Sequence, residues 1–248
     1  MTLSVITFSA KNERAIVVAC LFTVEAVGLY ATLALGDSVM MATMGAERGL
    51  AYWALLFAMW WTMMLAMMLP SATPAILTFS GVNKKLARDG RQTAALVAFI
   101  AGYLALWTAF SAGAVALQIM LENRIALDMM MATASVWLGA GLLVAAGLYQ
   151  MSPLKDSCLH KCQAPIFYLA RHWHSGTFGA LRMGLAHGAY CVGCCWVLMG
   201  LLFYGGVMEP RWIVGLAAYV AAEKLIPAGN KLSHLTGLVL IGWGLFTL

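Results

Sequence analysis

Charge is what this chain has least of. Asp, Glu, Lys and Arg make up only 10% of its 248 residues, against roughly 25% in a soluble domain. A soluble globular protein is excluded on that ground, because its surface could not be covered. The chain also lacks a GxxxxGK[ST] run, which excludes transport powered by a P-loop ATPase of its own. Met1–Ala10 lacks a basic n-region, and the first apolar run is too long for a signal-peptide core. The expectation is therefore an uncleaved first span rather than a secretory signal. No long polar linker divides the sequence, so one membrane domain is expected over 1–248. No nucleic-acid partner is expected.

What is present is hydrocarbon. The chain is 62% hydrophobic with mean hydropathy +0.84. Several apolar runs exceed the ~18 residues that mark a spanning helix. They fall at 15–36, 51–79, 93–121, 131–151, 178–205, 211–227 and 232–248. The expected fold is all-α, a polytopic membrane bundle of about seven helices, with lipid as its first partner. Lys and Arg fall asymmetrically across these spans. The segments on one side hold 12 (Lys11, Arg14, Lys84, Lys85, Arg88, Arg91, Lys155, Lys161, Arg171, Arg182, Lys224, Lys231). The other side holds 3 (Arg48, Arg124, Arg211), which completes the 15 in the chain. The positive-inside rule then gives an orientation with the N-terminus cytoplasmic and the C-terminus outside.

The chemistry is concentrated in LAHGAYCVGCCWVLM, Leu185 to Met199. His187 and Cys191 are one helical turn apart, and Cys194 and Cys195 follow on the same face. Free cysteine is often an inert core residue. Three on one turn, with an imidazole one turn away, point instead to a ligand set or a redox site. Thiolate and neutral imidazole select copper(I), zinc or a related ion. Cys194 and Cys195 are adjacent, so Cys191 with Cys194 is the better redox pair.

A second cluster, Cys158, His160 and Cys162, follows the fourth span in SPLKDSCLHKC. This segment is expected to be a cytoplasmic loop, where thiols stay reduced. Its Cys-x3-Cys spacing with an intervening histidine suits a metal clamp. Nearby Lys155 and Lys161 would favour thiolate. His172, His174 and His234 read as interfacial residues. In the second span Met59, Met63 and Met67 form one stripe and Met64 and Met68 another, above Pro70 and Pro74. The prolines should kink the helix, with Ser71 and Thr73 covering the freed carbonyls. Met63 and Met67 are candidate thioether ligands, and thioethers suit Cu(I). Met40, Met41, Met44 and Met129–Met131 form two further groups on the expected outer face. Glu25 and Glu223 lie inside spans, where carboxylates are costly. Glu223 is expected to orient His187, to take a thiol proton, or to pair with Lys224 or another basic residue. Cys20 reads as packing.

The stretches MMLPSATP, SPLKDSCLHKC, HGAYCVGCCWVLM and AAEKLIP resemble a bacterial family known as predicted metal-binding integral membrane proteins, a family of unknown function. The resemblance covers about residues 50–235. It implies a metal site made from Cys158, Cys162, His187, Cys191, Cys194, Cys195 and Glu223. The copper preference rests on the soft ligands, with zinc as the other candidate. The expected function is metal transport, or delivery to a membrane metalloenzyme or metallochaperone, without catalysis. Two alternatives stay open. One is a membrane thiol oxidoreductase working with a quinone. The other is a haem-binding or structural subunit of a membrane complex.

Overall fold

A computed structural model describes residues 23, 26–28, 30–39, 49–86, 92–124 and 131–248. Cys20, Glu25, Met40, Met41, Met44, Met129 and Met130 lie outside these residues. The described chain is helical and contains no strand. In order the helices are α1 (Ala26–Val39), α2 (Leu50–Leu86), α3 (Gln92–Arg124), α4 (Val136–Gln150), α5 (Pro153–Gln163), α6 (Pro165–Arg171), α7 (Gly176–Gly200), α8 (Leu202–Gly205), α9 (Pro210–Leu225) and α10 (Gly229–Phe246).

Among the described residues, three stretches are long and apolar enough to cross a membrane: Leu50–Leu86, Gln92–Glu122 and Gly176–Gly205. A fourth is added if α4 and α5, bent by 64° at their junction, count as one. α9 has only 16 residues. α10 has 18, but it opens with Asn230, Lys231, Ser233 and His234, which dilute its apolar run. These two account for much of the gap between the seven expected spans and the helices that meet the criterion.

The segment expected as a cytoplasmic loop is instead helical. Ser152 caps α5 by accepting the Lys155 backbone N–H at 3.2 Å, and Pro153 occupies the first turn. Pro165 likewise opens α6, and Pro210 opens α9. Pro70 and Pro74, expected to kink this span, both lie inside the single helix α2. Ser71 Oγ donates to the Met68 carbonyl at 2.9 Å, and Thr73 Oγ1 to that of Leu69 at 3.2 Å. Tyr103 of α3 donates to the Met68 carbonyl at 3.1 Å from outside the helix.

Close helix contacts rest on small residues. α7 lies against α3, with Gly184 directly on the Phe99 carbonyl and Gly102 on that of Leu181. α4 and α10 meet the same way. A Cβ at Gly147 would lie 2.6 Å from the Gly237 carbonyl, and one at Gly237 would lie 2.8 Å from that of Gly147. α3 and α4 both pack on α7 and leave an apolar cavity of about 600 Å³ between them, lined by Phe110, Leu117, Leu142, Trp196 and Phe203. α7 is thus clamped on α3 along one side, which holds its cysteine turn in the interior.

This packing predicts that Gly184→Leu wedges α7 off α3 and costs about 1–3 kcal/mol or more, as overpacking does. The melting temperature in detergent falls accordingly. Gly141→Ala, where an added Cβ meets nothing within 4 Å, leaves it unchanged.

Candidate metal centre

α7 presents Cys191, Cys194 and Cys195 inward, each no more than 2% exposed. The i, i+3, i+4 spacing places them on one stripe. Cys194 Sγ donates to the Cys191 carbonyl at 3.1 Å, and Cys195 Sγ to the same oxygen at 2.9 Å. Four other helices converge on this turn. From α2, Met68 Sδ lies 3.9 Å from Cys195 Sγ. From α5, Cys162 is buried and its thiol lies near that of Cys194. From α3, Tyr103 hydroxyl lies 3.2 Å from Cys191 Sγ. From α9, Lys224 Nζ donates to Cys191 Sγ and to Ser71 Oγ of α2, both at 3.0 Å.

The sulfur group therefore draws on three helices, α2, α5 and α7. Cys158, one turn before Cys162, is half-buried. Its Sγ packs against Gly193, lying 3.0 Å from where a Cβ would stand. All five described cysteines are free thiols. Going outward from the core the thiols run Cys191, Cys194, Cys162 and Cys158, from fully buried to partly exposed. Among the described residues, no three His, Cys, Asp or Glu side chains are arranged as a ready-made metal cage.

The other expected residues are distributed as follows. His187 is buried one turn before Cys191, with its ring centroid 5.8 Å from that of Tyr103 and 6.2 Å from that of Phe99. Met63 and Met67 are buried in the main core with Met59 and Met64. Of that stripe pair, the thiol contact is made by Met68. His160 lies on the exposed face of α5. Once 158–162 is a helix, Cys158 and Cys162 share a face and the residue midway between them cannot. His172 and His174 are exposed. His234 meets Asp156 at 3.2 Å near the surface. Met131 is buried, and its Sδ accepts from Gln118 Nε2 at 2.8 Å. Outside the spans, Tyr168 of α6 stacks on His172, and burial together with Tyr190 pushes its phenol up to about 12.

Glu223 does not face His187, and its partner is not Lys224. Its carboxylate accepts Lys155 Nζ at 2.8 and 2.9 Å, Gln150 Nε2 at 2.9 Å and Tyr219 hydroxyl at 2.5 Å. Lys155 also donates to Gln150 Oε1. Lys155 is fully buried and Glu223 is 1% exposed. This second polar centre ties the α4–α5 corner to α9. Lys155 is therefore committed to a carboxylate rather than to a thiol. Lys161 lies over the Tyr190 ring at 4.0 Å from its centroid.

The sequence reading did not single out Tyr103, Lys224, Ser71 or Met68 as site residues. Lys224 carried a usable signal, a lysine next to a glutamate within an apolar run. Two such residues sit about 100° apart on a helix and cannot serve one partner.

The PpoB2 family, described as a copper chaperone, has a sequence model that matches residues 57–247, and the chain belongs to that family. The description supports the metal-binding side of the resemblance noted above and names copper. It makes no statement about membranes. The chain matches no curated protein and no solved structure.

The buried pair makes a separate prediction. Lys155→Met strands the Glu223 carboxylate and costs about 3–5 kcal/mol, whereas replacing both partners by apolar residues recovers most of that loss. Thermal unfolding of the single and double variants in detergent measures the difference. Equal losses would mean that the pair is not closed off from water.

Proposed function

Starting from membership of a copper chaperone family, we propose that this chain is a single-domain, multi-pass protein of the bacterial inner membrane. It holds Cu(I) on the sulfur atoms around Cys191 and Cys194 and delivers it to a membrane metalloenzyme or a partner metallochaperone. The observation that carries this reading is the convergence of four thiols and one thioether from α2, α5 and α7 in a buried interior. That donor set fits the cargo. Soft sulfur ligands favour Cu(I) over hard cations, and a thioether binds without losing a proton. Cys191 and Cys194 hold the ion as thiolates, with the Cys195 thiol and Met68 beside them and His187 one turn away.

Delivery proceeds from the core toward the cytoplasmic face through Cys162 and then Cys158, each exchange replacing one sulfur ligand by the next; the same ligands serve the reverse direction. The Met63 and Met67 stripe and the methionines at 40, 41, 44 and 129–131 are the entry side. Support for the orientation comes from the 12 basic residues on one side against 3 on the other. Seven spans, an odd number, are compatible with the N-terminus inside and the C-terminus outside that this asymmetry favours. Zinc is the competing cargo. Glu223 serves the site by fixing α9 against α5, not as a ligand.

The protein purified in mild detergent under reducing conditions is expected to carry copper by elemental analysis. Replacing Cys191 and Cys194 by Ser together weakens Cu(I) binding by more than the roughly 10–100-fold that loss of an outer partner costs, while insertion is retained. Normal copper in that double variant would remove the central site. Replacing Met40, Met41 and Met44 by Leu should slow copper acquisition only at low copper, and an unchanged response would remove the entry step.

A further inference from the structure

We propose that Lys224 sets the charge of the ion this site accepts. Its ammonium makes a monovalent ion on two thiolates electrically neutral, and so selects Cu(I) against divalent metals. The inference rests on the copper reading above and adds to it the reason for the choice of ion.

A lysine in the interior of a membrane protein is costly and requires a partner. Lys224 is 5% exposed. The carboxylate beside it in sequence, Glu223, is taken by Lys155 at 2.8 Å. The hydrogen bonds of Lys224 go elsewhere, to Ser71 Oγ and to Cys191 Sγ. Its ammonium is thus aimed at the cysteine turn, 3.0 Å from one of the proposed ligands. An arrangement built only to bury α9 would not place a cation against a thiol.

The charges then decide. Cys191 and Cys194 bind as thiolates. Each S–H proton leaves to water, two metal–sulfur bonds form, and no electron is transferred. Two thiolates and one Cu(I) carry a net charge of minus one, and the Lys224 ammonium brings the sum to zero. A divalent ion on the same two thiolates leaves a net charge of plus one in an apolar interior, where isolated charge is strongly disfavoured. Softness alone does not make this distinction, because several divalent ions also favour sulfur. With Lys224 removed, the balance reverses. The copper complex becomes an anion and the divalent complex becomes neutral.

Lys224→Met keeps the length and removes the charge. In the full-length protein in detergent under reducing conditions, Cu(I) affinity is expected to fall at least about tenfold, as loss of a close charge partner at an effective dielectric near 20 would produce. Affinity for Zn(II) is expected to rise. A role confined to packing would lower both. Ser71→Ala, which removes the hydroxyl anchor and keeps the charge, should leave the Cu(I)-to-Zn(II) ratio within a few fold. Equal losses of both ions, or no change in either, overturn the proposal.

If Lys224→Met fails to insert, the native protein still decides. Ag(I), soft and monovalent, should displace copper, whereas Cd(II), soft and divalent, should not at the same concentration. Displacement by Cd(II) overturns the proposal. Native protein that binds no Cu(I) overturns the copper reading itself. Native protein that binds Cu(I) beside an indifferent Lys224→Met overturns only the role of Lys224.

Discussion

The cost of burying charge and polar groups in an apolar interior orders this molecule. Its long apolar helices satisfy their backbone polar groups within themselves. Every side chain that cannot do the same must find a partner in the interior. The buried lysines and glutamate meet that requirement at two centres in the last turn of α9. Glu223 and Lys155 cancel one another within a net of amide and phenol hydrogen bonds. Lys224, the next residue, is left to the thiols of α7. Neighbouring positions on one helix thus feed two different sites, since adjacent side chains diverge by about 100°.

The two centres depend on each other mechanically. α5 carries Lys155 near its start and Cys158 and Cys162 along one face. The bond from Lys155 to Glu223 fixes where α5 lies, and so fixes the approach of Cys162 to Cys194. Gly184 and Gly102 do the equivalent work on the other side by letting α7 lie directly on α3, which brings Tyr103 onto Cys191. The sulfur atoms meet because three unrelated contacts, a glycine seam, an ion pair and a proline-started helix, set the positions of their helices.

This explains which parts of the architecture were legible in the sequence. The stripe of Cys191, Cys194 and Cys195 could be read because helical periodicity alone places those residues together. The helical, membrane-like character could be read from composition. The length of α5 was missed although Ser152, Pro153 and Asp156 form a recognisable start, because the polar sequence that follows resembles a connecting loop. His160 was drawn into a clamp for the same reason. In a flexible loop it could join Cys158 and Cys162, but in a helix it points away from both. Met68, Tyr103 and Lys224 could not be found from periodicity, since each reaches the site from a different helix. Nothing in one sequence states which faces meet.

Lys224 brings these strands together. Sulfur ligands by themselves describe a site that takes many soft ions, and a chaperone that took them all would deliver the wrong one. Selectivity needs a feature that responds to something other than softness. In water a nearby ammonium would be screened and would contribute little. Beside Cys191, enclosed by α2, α3, α7 and α9, it is not, and the difference of one elementary charge between Cu(I) and a divalent ion becomes large. The same apolar interior that makes Lys224 expensive is what gives its charge discriminating power. A surface copper site with the same cysteines would have to select by geometry. A buried one can select by valence, and this chain places its lysine where that selection can operate.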